Sequence, residues 1–195
     1  MELVWILLAV LVVLIFYVIS IFNSLNTLKT RIHASIQQIG NHLKRQASLI
    51  PNLQESVKGY LKHEKGIFDQ LTSARKAVDS AVAKGDVAGS DKVATQMQSL
   101  LPKLQVLVES NPELKADTTV RQFMDELRDT SDKLLFSRQT LIDLTQSYNQ
   151  KLVVFPSNII AGFMGFKPEK GLVVATEGSH LEVSAKESED VKIQL

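Results

Sequence analysis

The chain has no cysteine among its 195 residues. That excludes disulfides, thiolate metal sites and a thioether-linked lipid anchor, and leaves the redox compartment open. Proline and glycine are scarce, at five and nine residues, so few points along the chain can break a helix. No charge of either sign dominates. Lys and Arg number 22 against 21 Asp and Glu, a formal net charge of +1, and no long basic stripe of the kind that grips nucleic acid is present. Catalytic signatures are lacking too. His33, His42, His63 and His180 nowhere make a two-histidine helical metal spacing, and His63-Glu64 is followed by Lys, Gly and Ile instead of a second histidine. No Glu-x-x-His pair of the di-iron bundle type occurs. Gly85 and Gly89 flank a turn and Gly162 and Gly165 lie in an apolar stretch, so no phosphate-binding loop is formed. The expectation is a protein without catalytic residues, cofactor or metal.

One thing is abundant at the start. From Leu3 to Phe22 there is no charge, and Ser20 and Tyr17 carry the only hydroxyls. At about 1.5 Å per residue this run covers about 30 Å as a helix, the thickness of a bilayer's hydrocarbon core. Trp5 and Tyr17 stand toward its two ends as headgroup-level anchors do. A cleaved signal fits poorly, because Glu2 replaces the basic n-region and no small-x-small site follows. Glu2 also stands where myristoylation needs glycine. Lys29 and Arg31, with Lys44 and Arg45 farther along, flank the run on its C-terminal side. The basic flank predicts an N-terminus outside and the remaining chain in the cytoplasm.

Pro51, Gly85, Gly89, Asn111-Pro112 and Pro156 cut residues 23–195 into long runs with apolar residues three and four apart. The first continues the span without interruption through Leu25, Leu28, Ile32, Ile36, Ile39, Leu43 and Ala47. Pro51 reads as the turn into a second helix over 52–84, with Ser48 as a cap and Leu49, Ile50 and Leu53 closing the core's far end. A third helix over about 90–109 contains Pro102 and is expected to kink or restart near Leu100. A fourth, capped by Ser110, Asn111 or Asp117, runs to about Phe155 through Val120, Phe123, Leu127, Leu134, Leu141, Tyr148 and Leu152. It exceeds the third by around twenty residues, about 30 Å, which calls for a stagger or a break near Asp129–Asp132. The fold expected is all-α: a transmembrane helix over 1–22, an antiparallel up-down bundle of about four long helices over 23–166, and an irregular or extended tail over 167–195.

Parity has a consequence. Four antiparallel helices return the chain to the bilayer, where it reads Phe-Pro-Ser-Asn-Ile-Ile-Ala-Gly-Phe-Met-Gly-Phe over 155–166. The stretch is too short to span. It either turns and caps the bundle's own core, or sets Ile159, Ile160, Phe163, Met164 and Phe166 against lipid or a neighbouring subunit. The tail alternates in His180–Ser184 and Val191–Leu195, and is either disordered or strand-like against a neighbour. Two charges fall on core stripes, Glu64 between Tyr60 and Ile67 and Arg138 between Leu134 and Leu141. A buried charge needs a partner, so each is expected to act as a buried polar pin or as a proton site responsive to pH or ligand. A hairpin at Pro51 sets Glu64 opposite residues 36–42, near the space left by Gly40.

Leu43-Lys44-Arg45, Leu49-Ile50-Pro51-Asn52-Leu53, Val57-Lys58-Gly59-Tyr60, His63-Glu64 and Ala74-Arg75, followed by Tyr148-Asn149, Phe155-Pro156, Asn158 and Gly165-Phe166, resemble the signature of the bacterial LemA family over nearly the whole chain. Ser35, Gly40, Gln46 and Leu141-Ile142 depart from it. The resemblance implies a single-span protein with a helical domain and no established catalytic activity, which places it in a bacterial inner membrane. Two functions fit. The first is a scaffold that self-associates and organises or reshapes the bilayer; the second is a tethered adaptor presenting a client to a membrane protease or kinase. The expected partners are the lipid bilayer, copies of the chain and a membrane-protein client, with no nucleic acid.

Overall fold

The computed structural model describes residues 1–59 and 65–172, and six helices lie among them. Helix α1 runs unbroken over Glu2–Val57, α2 over Lys65–Ala83, α3 over Val87–Ser110, α4 over Pro112–Ala116, α5 over Thr118–Val153 and α6 over Ser157–Phe163. No strand occurs among the described residues. At 56 residues, α1 is about 84 Å long. Its N-terminal part has a mean hydropathy of 3.1 and is left unburied by the described residues, long and apolar enough to cross a membrane.

Two ladders spaced by seven residues make the spine. On α1 these are Leu25, Ile32, Ile39, Gln46 and Leu53, and on α5 Val120, Leu127, Leu134, Leu141 and Tyr148, all buried. A seven-residue apolar repeat keeps one seam of a helix facing its neighbour over many turns. The two helices run antiparallel, because Ser35 Oγ donates to the Ser137 carbonyl at 3.0 Å while Arg45 pairs with Glu126 at 2.8 Å. Helix α2 lies against α1 and α3, with the Gln54 amide donating to Phe68 O and Thr72 Oγ1. The turn into α3 needs Gly85 at φ 62°. Gly85 N–H donates to Val82 O and Asp86 N–H to Ala81 O, a Schellman ending that a residue with a Cβ enters at a cost. Asp86 then caps α3 by accepting from Gly89 N–H.

Four expectations are corrected. Pro51 lies inside α1 and does not start the second helix. Deep in a packed helix its missing N–H forfeits one bond to Ala47 O, and burial of Leu49, Ile50, Leu53 and Val57 in the core holds the helix together across it. Ser48 is not a cap: its hydroxyl donates back to Arg45 O within the helix. The corner therefore falls after Val57 and α2 is shorter than expected, which moves the register so that Gly40 faces Val82, whose Cγ1 lies 3.3 Å from where a Cβ would stand. Helix α3 likewise runs through Pro102 without restarting.

The fourth run, expected as one helix with alternative starts, begins as two pieces that use both. Asn111 caps α4, with Pro112 at its first position, and Asp117 caps α5 through Thr119 and Val120 N–H. Helix α5 does not break at Asp129–Asp132; the excess length is taken up by α1. The α2–α3 turn reaches only the level of Gly40. Beyond it α1 and α5 continue as a pair toward the apolar end of α1, covered there by α6 and the segment that follows. Glu64 and the alternating stretches His180–Ser184 and Val191–Leu195 lie outside the described residues.

Candidate functional site

With only two helices at that end, Leu25, Ile32, Leu141, Leu144 and Tyr148 need another cover, and the chain after α5 supplies it. The Ser157 hydroxyl approaches Lys151 O at 2.7 Å and Val154 O at 2.8 Å, which pins the corner. Helix α6 ends in a second Schellman arrangement. Gly165, at φ 71°, donates to Gly162 O, and Phe166 N–H donates to Ala161 O. The residue that follows such a glycine turns back onto its own helix. Phe166 does so, and its ring meets Phe22 edge-on at 5.9 Å between centroids.

From Phe166 the chain climbs the groove between α1 and α5 as a strap. The Tyr148 hydroxyl donates to Lys167 O at 3.1 Å. The Asn149 side chain donates to Glu169 O at 2.9 Å and accepts from Glu169 N–H at 3.0 Å, closing a two-bond clasp. Lys29 pairs with the Glu169 carboxylate at 3.4 Å, and Gly171 passes so close to Thr145 that an added Cβ would lie 3.1 Å from Cγ2. Burial lifts the Tyr148 phenol above its ordinary pKa, with Lys29 drawing it down and Glu169 pushing it up.

The five apolar residues singled out in this stretch divide. Ile159, Phe163 and Met164 are exposed, Phe163 at 92%, while Ile160 and Phe166 are half-buried and Phe166 packs on the core. Val153, Val154 and Phe155 join the exposed group, Phe155 at 75%. The signal for these three lay in Leu152-Val153-Val154-Phe155, since four consecutive apolar residues cannot all face one side of a helix. The result is an apolar knuckle left exposed among the described residues, next to the Phe166 that packs on Phe22 where the apolar part of α1 ends.

Arg138 is placed at the level of Gly40, away from the knuckle. Its Nη2 lies 2.6 Å from Asp91 Oδ1, both side chains being 20% exposed, with Gln98 and Thr95 oxygens beside the guanidinium. It is a half-buried ion pair. The fully buried polar residue is Gln46, in the α1 ladder, whose two amide atoms have no hydrogen-bond partner among the described residues. No three of His, Cys, Asp or Glu converge as metal ligands among those residues.

A family model described as LemA family matches residues 35–185. No curated protein matches the chain.

Proposed function

The chain belongs to the LemA family, and from that premise we propose that it is a non-enzymatic, single-pass scaffold of the bacterial inner membrane that self-associates and organises or reshapes the bilayer. The observation that carries this reading is the coincidence of two apolar surfaces at one end of the molecule. The uncovered N-terminal part of α1 and the segment bearing Phe155, Ile159 and Phe163 come together where α6 lies against α1 and Phe166 packs on Phe22. Exposed apolar side chains so clustered mark a surface that something covers, and the covering that also accounts for α1 is lipid. Residues 23–166 form an antiparallel up-down bundle standing on the membrane. Because α1 passes from span to bundle without a hinge, a tilt imposed on the bundle is transmitted to the span.

The basic flank of Lys29 and Arg31 supports a reading with the bundle on the cytoplasmic side. Leu135 and Phe136 on α5 and Val106 on α3 are exposed away from the knuckle and offer lateral contact between copies. The test is the native mass of the full chain in mild detergent, with cross-linking in membranes as a check. A homogeneous assembly of many copies is expected. A monomer that co-purifies with an unrelated membrane protein would overturn the scaffold in favour of a tethered adaptor.

A further inference from the structure

Charge is spread unevenly over a chain whose net charge is only +1. No acidic residue occurs between Glu2 and Glu55, nor between Asp143 and Glu169. Among the described residues, the charges around the knuckle are therefore Lys29, Arg31, Lys151, Lys167 and Lys170 against the carboxylate of Glu169, and that carboxylate is engaged by Lys29. Arg31, Lys167 and Lys170 are exposed and Lys151 is half-buried on the last turn of α5. The clasp of Tyr148 and Asn149 on the strap backbone fixes where Lys167 and Lys170 stand relative to α6.

We propose that this end of the molecule is a binding surface for an anionic bilayer, in which Phe155, Ile159 and Phe163 enter the headgroup layer and Lys151, Lys167 and Lys170 engage lipid phosphates around them. This rests on the membrane-facing reading of the knuckle and adds the chemistry of the lipid. Apolar rings flanked by lysines form the pattern that seats at an interface, the rings passing the headgroups while the long lysine stems let the ammonium groups remain at phosphate level. The span fixes the distance. Phe22 marks the end of the apolar run and Phe166 touches it, so Lys167 stands one residue from headgroup level. Arg31, nine residues along α1, is about 13 Å away, beyond the Debye length of about 8 Å in physiological salt and largely screened. A lysine close to an anionic surface strengthens seating about fivefold. Removing three at graded distances weakens it by between roughly tenfold and a hundredfold.

The test uses the full chain, which has no cysteine and so accepts one label at a chosen place. Phe163→Cys and, separately, Ile159→Cys carry a polarity-sensitive fluorophore, with Phe136→Cys as a control on the exposed face of α5. Each is reconstituted into vesicles of phosphatidylcholine alone or mixed with phosphatidylglycerol, with a spin label at headgroup level as quencher. Strong quenching at 163 and 159 is expected in the anionic vesicles and weaker quenching in the neutral ones, with none at 136. Lys151→Gln, Lys167→Gln and Lys170→Gln together should reduce the anionic signal to the neutral level. Equal quenching in both vesicles, unchanged by the triple variant, would overturn the headgroup proposal while leaving the knuckle in the membrane. Absence of quenching in both kinds of vesicle would overturn the headgroup proposal and the membrane-facing knuckle together.

Discussion

Tyr148 is the last buried rung of the α5 ladder, and its hydroxyl is one of three hydrogen bonds that hold the strap. Tyr148→Phe should cost about 0.5–1.5 kcal/mol at neutral pH, the usual net value of one hydrogen bond. The raised phenol pKa adds a pH signature. A group that ionises less readily when folded contributes stability that is complete below its unfolded pKa near 10 and is lost as pH rises through the higher folded value. Denaturant titrations at pH 7 and at pH 11 should show the parent's advantage over the phenylalanine variant shrinking or reversing. A constant gap would place the hydroxyl in water. At the other polar position, Arg138 and Asp91 keep enough solvent contact for screening to weaken the pair. Arg138→Ala is expected to cost about 1–3 kcal/mol, below the loss that follows breaking a fully buried pair. A double-mutant cycle with Asp91→Ala measures the coupling, and a value indistinguishable from zero would remove Arg138 as a register device.

Among the elements, α1 carries the most instructive departure from local rules. A proline after a helical run reads as an end, and here the helix continues because Leu49 and Ile50 just before it and Leu53 and Val57 after it are all buried. The proline is thus a local defect tolerated by packing, not a turn residue. Pro51→Ala restores the N–H that Ala47 O lacks, partly offset by the greater freedom of the unfolded chain. It should raise the unfolding free energy by about 1–2 kcal/mol in detergent denaturation, whereas a proline that ended α1 would give a loss on replacement. The ladder partner nearby, Gln46, interrupts an otherwise apolar seam. A single polar residue at such a position trades stability for register in paired helices.

For the whole molecule the decisive question is which side of the bilayer holds the domain. If Lys29 and Arg31 govern insertion, protease added to intact spheroplasts should spare everything beyond Asn23 and digest it after lysis. Digestion before lysis would put the domain on the opposite face and move Lys151, Lys167 and Lys170 to the outer leaflet. The α1–α5 pair makes this a question about function as well as topology. The same two helices that bury the core also carry the knuckle to the place where α1 becomes wholly apolar.

Composition and periodicity alone determined that the chain is helical, that an apolar run opens it, and that a long helix starts between Pro112 and Thr118. Those features rest on local physics: the length of an uncharged run, the spacing of Val120, Leu127, Leu134, Leu141 and Tyr148, and the caps Asn111 and Asp117. Helix α3, by contrast, begins at Val87, a few residues before the expected start at about 90, and the separate α4 was not expected. The stretch after Phe155 was legible as apolar and ambiguous in its use, since a core plug and an interfacial wedge have the same composition. Only tertiary structure separated Phe166, folded back on Phe22, from Phe163, left outside. It alone moved the first corner past Val57, because whether a helix survives a proline depends on what the next two turns can bury. It also gave Tyr148 and Asn149 their task, which depends on the strap passing within hydrogen-bond reach from about twenty residues away. Such pairings are set by where two segments meet in space, and neither segment's own sequence encodes the distance between them.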